Sequence, residues 1–148
     1  MESTESTKIT IRKALWEDHE AISIILTEAF DVKAGSNRRW WNIISDSSAF
    51  PYVVEINGEI KGTATLYILE KLIHSGGKVG LIEDVAVSPS ARGLGLGKML
   101  MDTLVELANK QGCYKVNLSC AEHNVLFYEK CDFYRHEITM RKDLRSNK

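Results

Sequence analysis

The sequence has no apolar run approaching the ~18 residues of a membrane span, and Met1 to Thr10 lack the basic start and apolar segment of a secretory signal. A cytoplasmic protein with no membrane partner is the expectation. Proline occurs only twice and there is no low-complexity tract or internal repeat, which excludes collagen-like, mucin-like and linker-like chains. Cysteine is scarce too. Cys113, Cys120 and Cys131 form no Cys-x-x-Cys pair and stand at no zinc-like spacing with histidine, and their odd number argues against a secreted disulfide framework. His19, His123 and His136 show no ligand spacing either, so no metal is expected. An excess of one charge is also missing: 19 Lys plus Arg against 20 Asp plus Glu leave a net charge of −1, which does not recommend nucleic acid as a partner.

What is present fits one α/β domain over residues 1–148. Residues 8–13 alternate as a strand, and Ile22, Ile25, Leu26, Ala29 and Phe30 mark one face of a helix. A second short helix is expected over Arg38 to Ser45. Tyr52–Ile56, Asn57-Gly58 and Ile60–Leu69 read as a hairpin, because Asn-Gly supplies the positive φ angles of a type I′ turn. Gly80 to Val87 is a further strand, Leu96 to Lys110 an amphipathic helix, and Tyr114 to Cys120 a strand. A short helix over Asn124–Lys130 and a closing strand over Phe133–Met140 complete the order β-α-α-β-β-β-α-β-α-β. That order implies a mixed, mostly antiparallel sheet with helices on both faces.

Arg92-Gly93-Leu94-Gly95-Leu96-Gly97-Lys98 lies between a strand and a helix. Such a turn offers unpaired N–H groups and the positive end of a helix dipole to a phosphate or pyrophosphate. The spacing fits neither a Walker loop, since Met99 is not Ser or Thr, nor a dinucleotide fingerprint. It does match R/Q-x-x-G-x-G/A and resembles the acetyl-coenzyme A signature of the GNAT N-acetyltransferase superfamily. Ile82-Glu83-Asp84-Val85-Ala86-Val87, Gly112-Cys113-Tyr114-Lys115-Val116 and Asn124 through Cys131 further resemble, in order and spacing, blocks of the glucosamine-6-phosphate N-acetyltransferases. The likeness is strong over residues 70–140 and follows only the element order over 1–69.

The resemblance implies the GNAT acyl-CoA N-acyltransferase fold, acetyl-CoA as co-substrate, an amino-sugar phosphate as acceptor, and a homodimer with the acceptor site near its interface and C-terminal strand exchange. It implies coenzyme contacts at Val85, Val87, Arg92, Gly93, Leu94, Gly95, Leu96, Gly97, Lys98, Asn124 and Tyr128, and substrate contacts at Thr27, Lys71, His74, Glu83, Asp84 and Ser119. Direct acetyl transfer needs a neutral amine, a stabilised oxyanion and help for the departing thiolate. By resemblance, the Val85 N–H faces the thioester oxygen, Glu83 serves the amine, and Tyr128 hydrogen-bonds the sulfur. Adjacent carboxylates on a regular strand point to opposite faces, so engaging both Glu83 and Asp84 requires a local distortion such as a bulge. Ser119 stands where the family usually carries an acid, and Leu81 where it often carries histidine. These departures leave open an acetyltransferase for another small amine, or a non-catalytic acyl-CoA binding domain.

Overall fold

The computed structural model describes residues 6–145. Its strands are β1 (Ile9–Lys13), β2 (Ala49–Ile56), β3 (Glu59–Glu70), β4 (Lys78–Val87) and β5 (Cys113–Asn117). The helices are α1 (His19–Phe30), α2 (Asn37–Ile44), the four-residue α3 (Ile73–Gly76), α4 (Leu96–Lys110) and the short α5 (Val125–Glu129). The five strands lie in the order β1-β2-β3-β4-β5. The first three pairings are antiparallel and β4–β5 is parallel, with α4 making the crossover that a parallel pair requires.

Turn chemistry sets the β2–β3 register. Asn57 and Gly58 have φ of 51° and 82°, the two left-handed residues of a type I′ hairpin, so the expected turn forms where the sequence placed it. Alternation then splits the core. Val54, Ala64, Leu66 and Ile82 face α4 and meet Leu96, Leu100, Met101, Leu104 and Ala108, while Val53 faces the other way, toward Ala14, Ile22 and Trp40. The sheet is therefore covered by α4 on one face and by α1 and α2 on the other, as the element order implied. Arg12 ties the start of α1 to the sheet: it donates to both Asp18 oxygens, at 2.7 and 3.0 Å, and to Glu55 at 2.9 Å.

Two sequence-based expectations need correction. The strand expected over Phe133–Met140 does not form: residues 133–140 have no regular pairing, and Tyr134, Ile138 and Met140 are exposed. Alternating residues define a strand only when a neighbouring strand accepts its backbone groups, and among the described residues the outer edge of β5 has no partner. Glu137 also turns left-handed (φ 54°), which breaks the extension. The strand expected over Tyr114–Cys120 stops at Asn117, because β4 and β5 pair only as far as Leu81 and Asn117.

Candidate active site

The site begins with an interruption of the ladder. Thr63 pairs with Ala86 and Thr65 with Glu83, so Asp84 and Val85 together stand opposite Ala64 alone. Asp84 absorbs the extra residue at a left-handed φ of 53°, and the result is a β-bulge. On its other side β4 pairs with β5 only from Lys78 to Leu81. Beyond that point the two parallel strands part, and the β5-facing edge of the bulged segment has no strand partner among the described residues.

The bulge brings two neighbouring acids within mutual range. Both Glu83 and Asp84 are exposed to water, but surrounding protein withdraws enough solvation to push both carboxyl pKa values up, and Asp84 raises that of Glu83 further. No cation and no hydrogen-bond donor among the described residues offsets these charges. Half-buried Tyr67 on β3 lies in the same field, its ionisation disfavoured first by burial and then by Asp84, Glu83 and Asp46.

Beyond β4, a 3₁₀ turn at Pro89–Ala91 leads into the glycine turn. Gly93 and Gly95 take φ of 82° and 79°, a conformation that resists other residues. Gly95 is the N-cap of α4 without any side-chain cap, and the first helical bond runs from Met99 N–H to the Gly95 carbonyl at 3.1 Å. The N–H groups of Leu96, Gly97 and Lys98 precede that bond and have no intrahelical acceptor. A side chain at Gly97 would put its Cβ 2.9 Å from Cζ of Phe127, so glycine is what lets α5 close against this turn. Arg92, Gly93, Leu94 and Gly95 line the turn in exposed positions, whereas Leu96 is buried in the core. The Lys98 ammonium pairs with Asp102 at 2.8 Å on an exposed face of α4.

Tyr128 closes the same end from α5. Its ring is half-buried between Phe127 (centroids 4.9 Å apart) and Phe133 (6.0 Å), both edge-on. Burial, reinforced by the Cys120 and Cys131 thiols, pushes its pKa up to about 12, so the phenol is a neutral donor throughout the working pH range. Asn124 lies exposed one helical turn earlier, at the junction between a 3₁₀ turn (Glu122–Asn124) and α5.

A glycine turn at a helix start, a bulged strand parting from its parallel neighbour, and a tyrosine behind them form one constellation, and the comparisons with known proteins agree with it. The model of the acetyltransferase (GNAT) family matches residues 9–133. The chain belongs to the acetyltransferase (GNAT) family.

Within that family it is similar to proteins named glucosamine 6-phosphate N-acetyltransferase. It is 51% identical over 87 residues to the one from Trypanosoma brucei brucei, a stretch covering 59% of each chain. It is 36% identical over 118 residues to glucosamine 6-phosphate N-acetyltransferase 1 of Dictyostelium discoideum, covering 78% of this chain and 75% of the relative. The chain thus spans about three-fifths of the trypanosome relative's length. The crystal structure of glucosamine-6-phosphate N-acetyltransferase from Arabidopsis thaliana superposes with a TM-score of 0.86 at 32% identity, over 93% of this chain and 99% of that one.

The structure gathers some expected site residues and spreads others. Glu83, Asp84, Val85 and Val87 share β4, with Val85 and Val87 also packed against the α4 core. Lys71 is exposed just past β3, and its N–H bonds the Gly77 carbonyl at 2.8 Å. His74 sits in the left-handed turn of α3 with its ring 4.6 Å from that of Tyr114 on β5. Thr27 lines a separate cleft of about 490 Å³ between the outer face of α1 and residues 33–36. Ser119, just past β5, exchanges a 3.0 Å hydrogen bond with the Thr139 hydroxyl. Sequence reasoning passed over Tyr67. An aromatic in a β-rich run reads as an ordinary strand residue, and only the register places it beside the acids.

Proposed function

We propose that this chain transfers an acetyl group from acetyl-CoA to the amine of glucosamine 6-phosphate, in a ternary complex. The observation that carries the proposal is the pair of desolvated carboxylates, Glu83 and Asp84, on a bulge with no cation to neutralise them. An arriving ammonium supplies that missing charge. The names of the relatives supply the identity of the acceptor.

The residues present fit the coenzyme. The glycine turn and the unpaired N–H groups at the start of α4 suit its pyrophosphate, and the parted edges of β4 and β5 suit an extended amide-bearing arm. Acetyl-CoA supplies the activated thioester. Glu83 takes the amine proton directly or through water, and the Val85 N–H stabilises developing negative charge on the carbonyl oxygen. Tyr128 remains protonated and donates a hydrogen bond to the sulfur. A phenol held near 12 is a poor acid toward a thiolate, so it acts by stabilising charge rather than by surrendering its proton outright. Asp84, Lys71 and His74 are assigned to the acceptor, with Lys71 as ion partner of its phosphate. Thr27 and Ser119 are assigned supporting contacts.

We also propose a homodimer working in the cytoplasm. It is supported by the unpaired outer edge of β5 and by the exposed apolar residues Tyr134, Ile138, Met140 and Leu144 that follow α5. A second copy adding a strand at that edge satisfies both, and light scattering after size exclusion tests it: a mass twice that of the 16.7 kDa chain is expected, and a monomer at micromolar concentration contradicts it. Release of coenzyme A thiol in the presence of acetyl-CoA tests the activity, with glucosamine 6-phosphate compared against glucosamine and a polyamine. Strong turnover with the phosphorylated sugar, against slow but measurable turnover of glucosamine and the polyamine, is the expected result. Turnover with another amine alone points to the second reading, which the neutral Ser119–Thr139 pair favours: a small-amine acetyltransferase lacking the usual acid at that position.

A further inference from the structure

The face of β3 that carries Tyr67 is directed at the acceptor side of the site. Thr65 pairs with Glu83 and Tyr67 with Leu81, so these four side chains share one side of the sheet. The intervening residues Ala64 and Leu66 turn to the opposite side and pack against α4. Tyr67 also pairs with Ala49 on β2, close to the turn that holds Asp46, and its hydroxyl lies in the combined field of Asp84, Glu83 and Asp46. Diagonal neighbours across an antiparallel pair lie roughly 7–8 Å apart, within reach of an aromatic side chain, and Tyr67 is the diagonal neighbour of Glu83.

The chemistry at this spot is unusual for a strand interior. The phenol is half-buried, and no hydrogen bond from another described residue offsets the desolvation of its hydroxyl. Leu81, its cross-strand partner, offers nothing polar. Glu83 and Asp84 act on it through charge, without a hydrogen bond, and Asp46 accepts from the Ser48 N–H at 2.8 Å. Tyr67 is thus a hydroxyl that can both donate and accept, set beside two acids that can hold an amine.

We propose that Tyr67 is an acceptor-binding and specificity-determining residue: its hydroxyl hydrogen-bonds a hydroxyl or ring oxygen of the acceptor while Glu83 and Asp84 hold the amine, so that the site favours polyhydroxylated amines over plain alkyl amines. This inference rests on the acyl-transfer reading above but does not depend on which hydroxylated amine is the substrate.

The test is Tyr67→Phe in the full chain, assayed by thiol release with glucosamine 6-phosphate, glucosamine and an alkyl diamine, with the melting temperature and the KM for acetyl-CoA measured alongside. Losing one substrate hydrogen bond predicts about a tenfold rise in KM for the hydroxylated acceptors, while the diamine, the KM for acetyl-CoA and the melting temperature are unchanged. The preference for sugar over diamine then falls by the same tenfold. A loss shared equally by sugar and diamine, or no change in either, overturns the role of Tyr67 while acetyl transfer stands. No turnover by the unsubstituted chain with any of the amines overturns both. Tyr67→Leu, which removes the ring as well, reports the packing contribution: if the Phe variant loses melting temperature as the Leu variant does, the residue is structural and the proposal fails.

Discussion

The β2–β3 hairpin and the β4–β5 pair are neighbouring parts of one sheet built on opposite terms. In the hairpin, a two-residue turn sets the register and pairing runs from Ala49–Tyr67 down to Ile56–Glu59, with one register shift, at Lys61 opposite Val54 and Glu55, and both strands pair on their other edges as well. In β4, pairing with β3 is broken by a bulge and pairing with β5 ends after Leu81. Beyond Leu81, β4 pairs with β3 alone among the described residues, and the desolvated acids and the glycine turn lie at that end. Pairing on both edges supplies rigidity, and its end on one edge of β4 supplies the ligand-facing surface that a rigid surround holds in place.

Substitutions on the two sides of this divide separate stability from chemistry. The largest expected effect is on the α4 core: Leu104 is fully buried, and Leu104→Ala costs about 2–5 kcal/mol in urea unfolding, with kcat of the folded fraction unchanged. An equal loss of kcat in folded protein would erase the distinction. On the other side, Tyr128→Phe lowers kcat by about tenfold to a hundredfold while the melting temperature and the KM for acetyl-CoA hold, because only a hydrogen-bond donor is removed. A smaller effect is expected at the hairpin. Asn57→Ala places an ordinary side chain at a φ of 51° and costs about 1–2 kcal/mol of stability, read by thermal melting, with no change in acceptor KM.

The same divide decides what could be read from sequence. The Asn57-Gly58 turn and the helix Leu96–Lys110 were legible because their signals are local: a dipeptide with positive φ, and an apolar stripe of helical period ending in a basic residue. The glycine turn was legible for the same reason. The bulge was expected only through family resemblance, since nothing in Glu83-Asp84-Val85 distinguishes a bulged strand from a regular one. Tyr67 was missed because its significance lies in a cross-strand register that sequence does not state. The strand expected over 133–140 failed for a related reason: its alternation is present, but pairing depends on an edge that residues 6–145 of one chain do not supply.

The most direct test of the site is the pH dependence of kcat at saturation in both acetyl-CoA and glucosamine 6-phosphate, where ionisation of the unbound amine no longer enters, for the unsubstituted chain and for Glu83→Gln. A carboxylate accepts a proton only when ionised, and desolvation with Asp84 nearby raises the Glu83 pKa above its ordinary 4.5. Activity is therefore expected to fall as pH drops through an acidic limb set by Glu83 in the ternary complex, where the acceptor's amine opposes the upward push of desolvation and Asp84, while Tyr128, held near 12, imposes no alkaline limb in the neutral range. Glu83→Gln is expected to lose that acidic limb together with about 10²–10⁴-fold in kcat. A variant that keeps both the rate and the limb would show that the proton leaves by another route and would contradict the role of the bulged strand in catalysis.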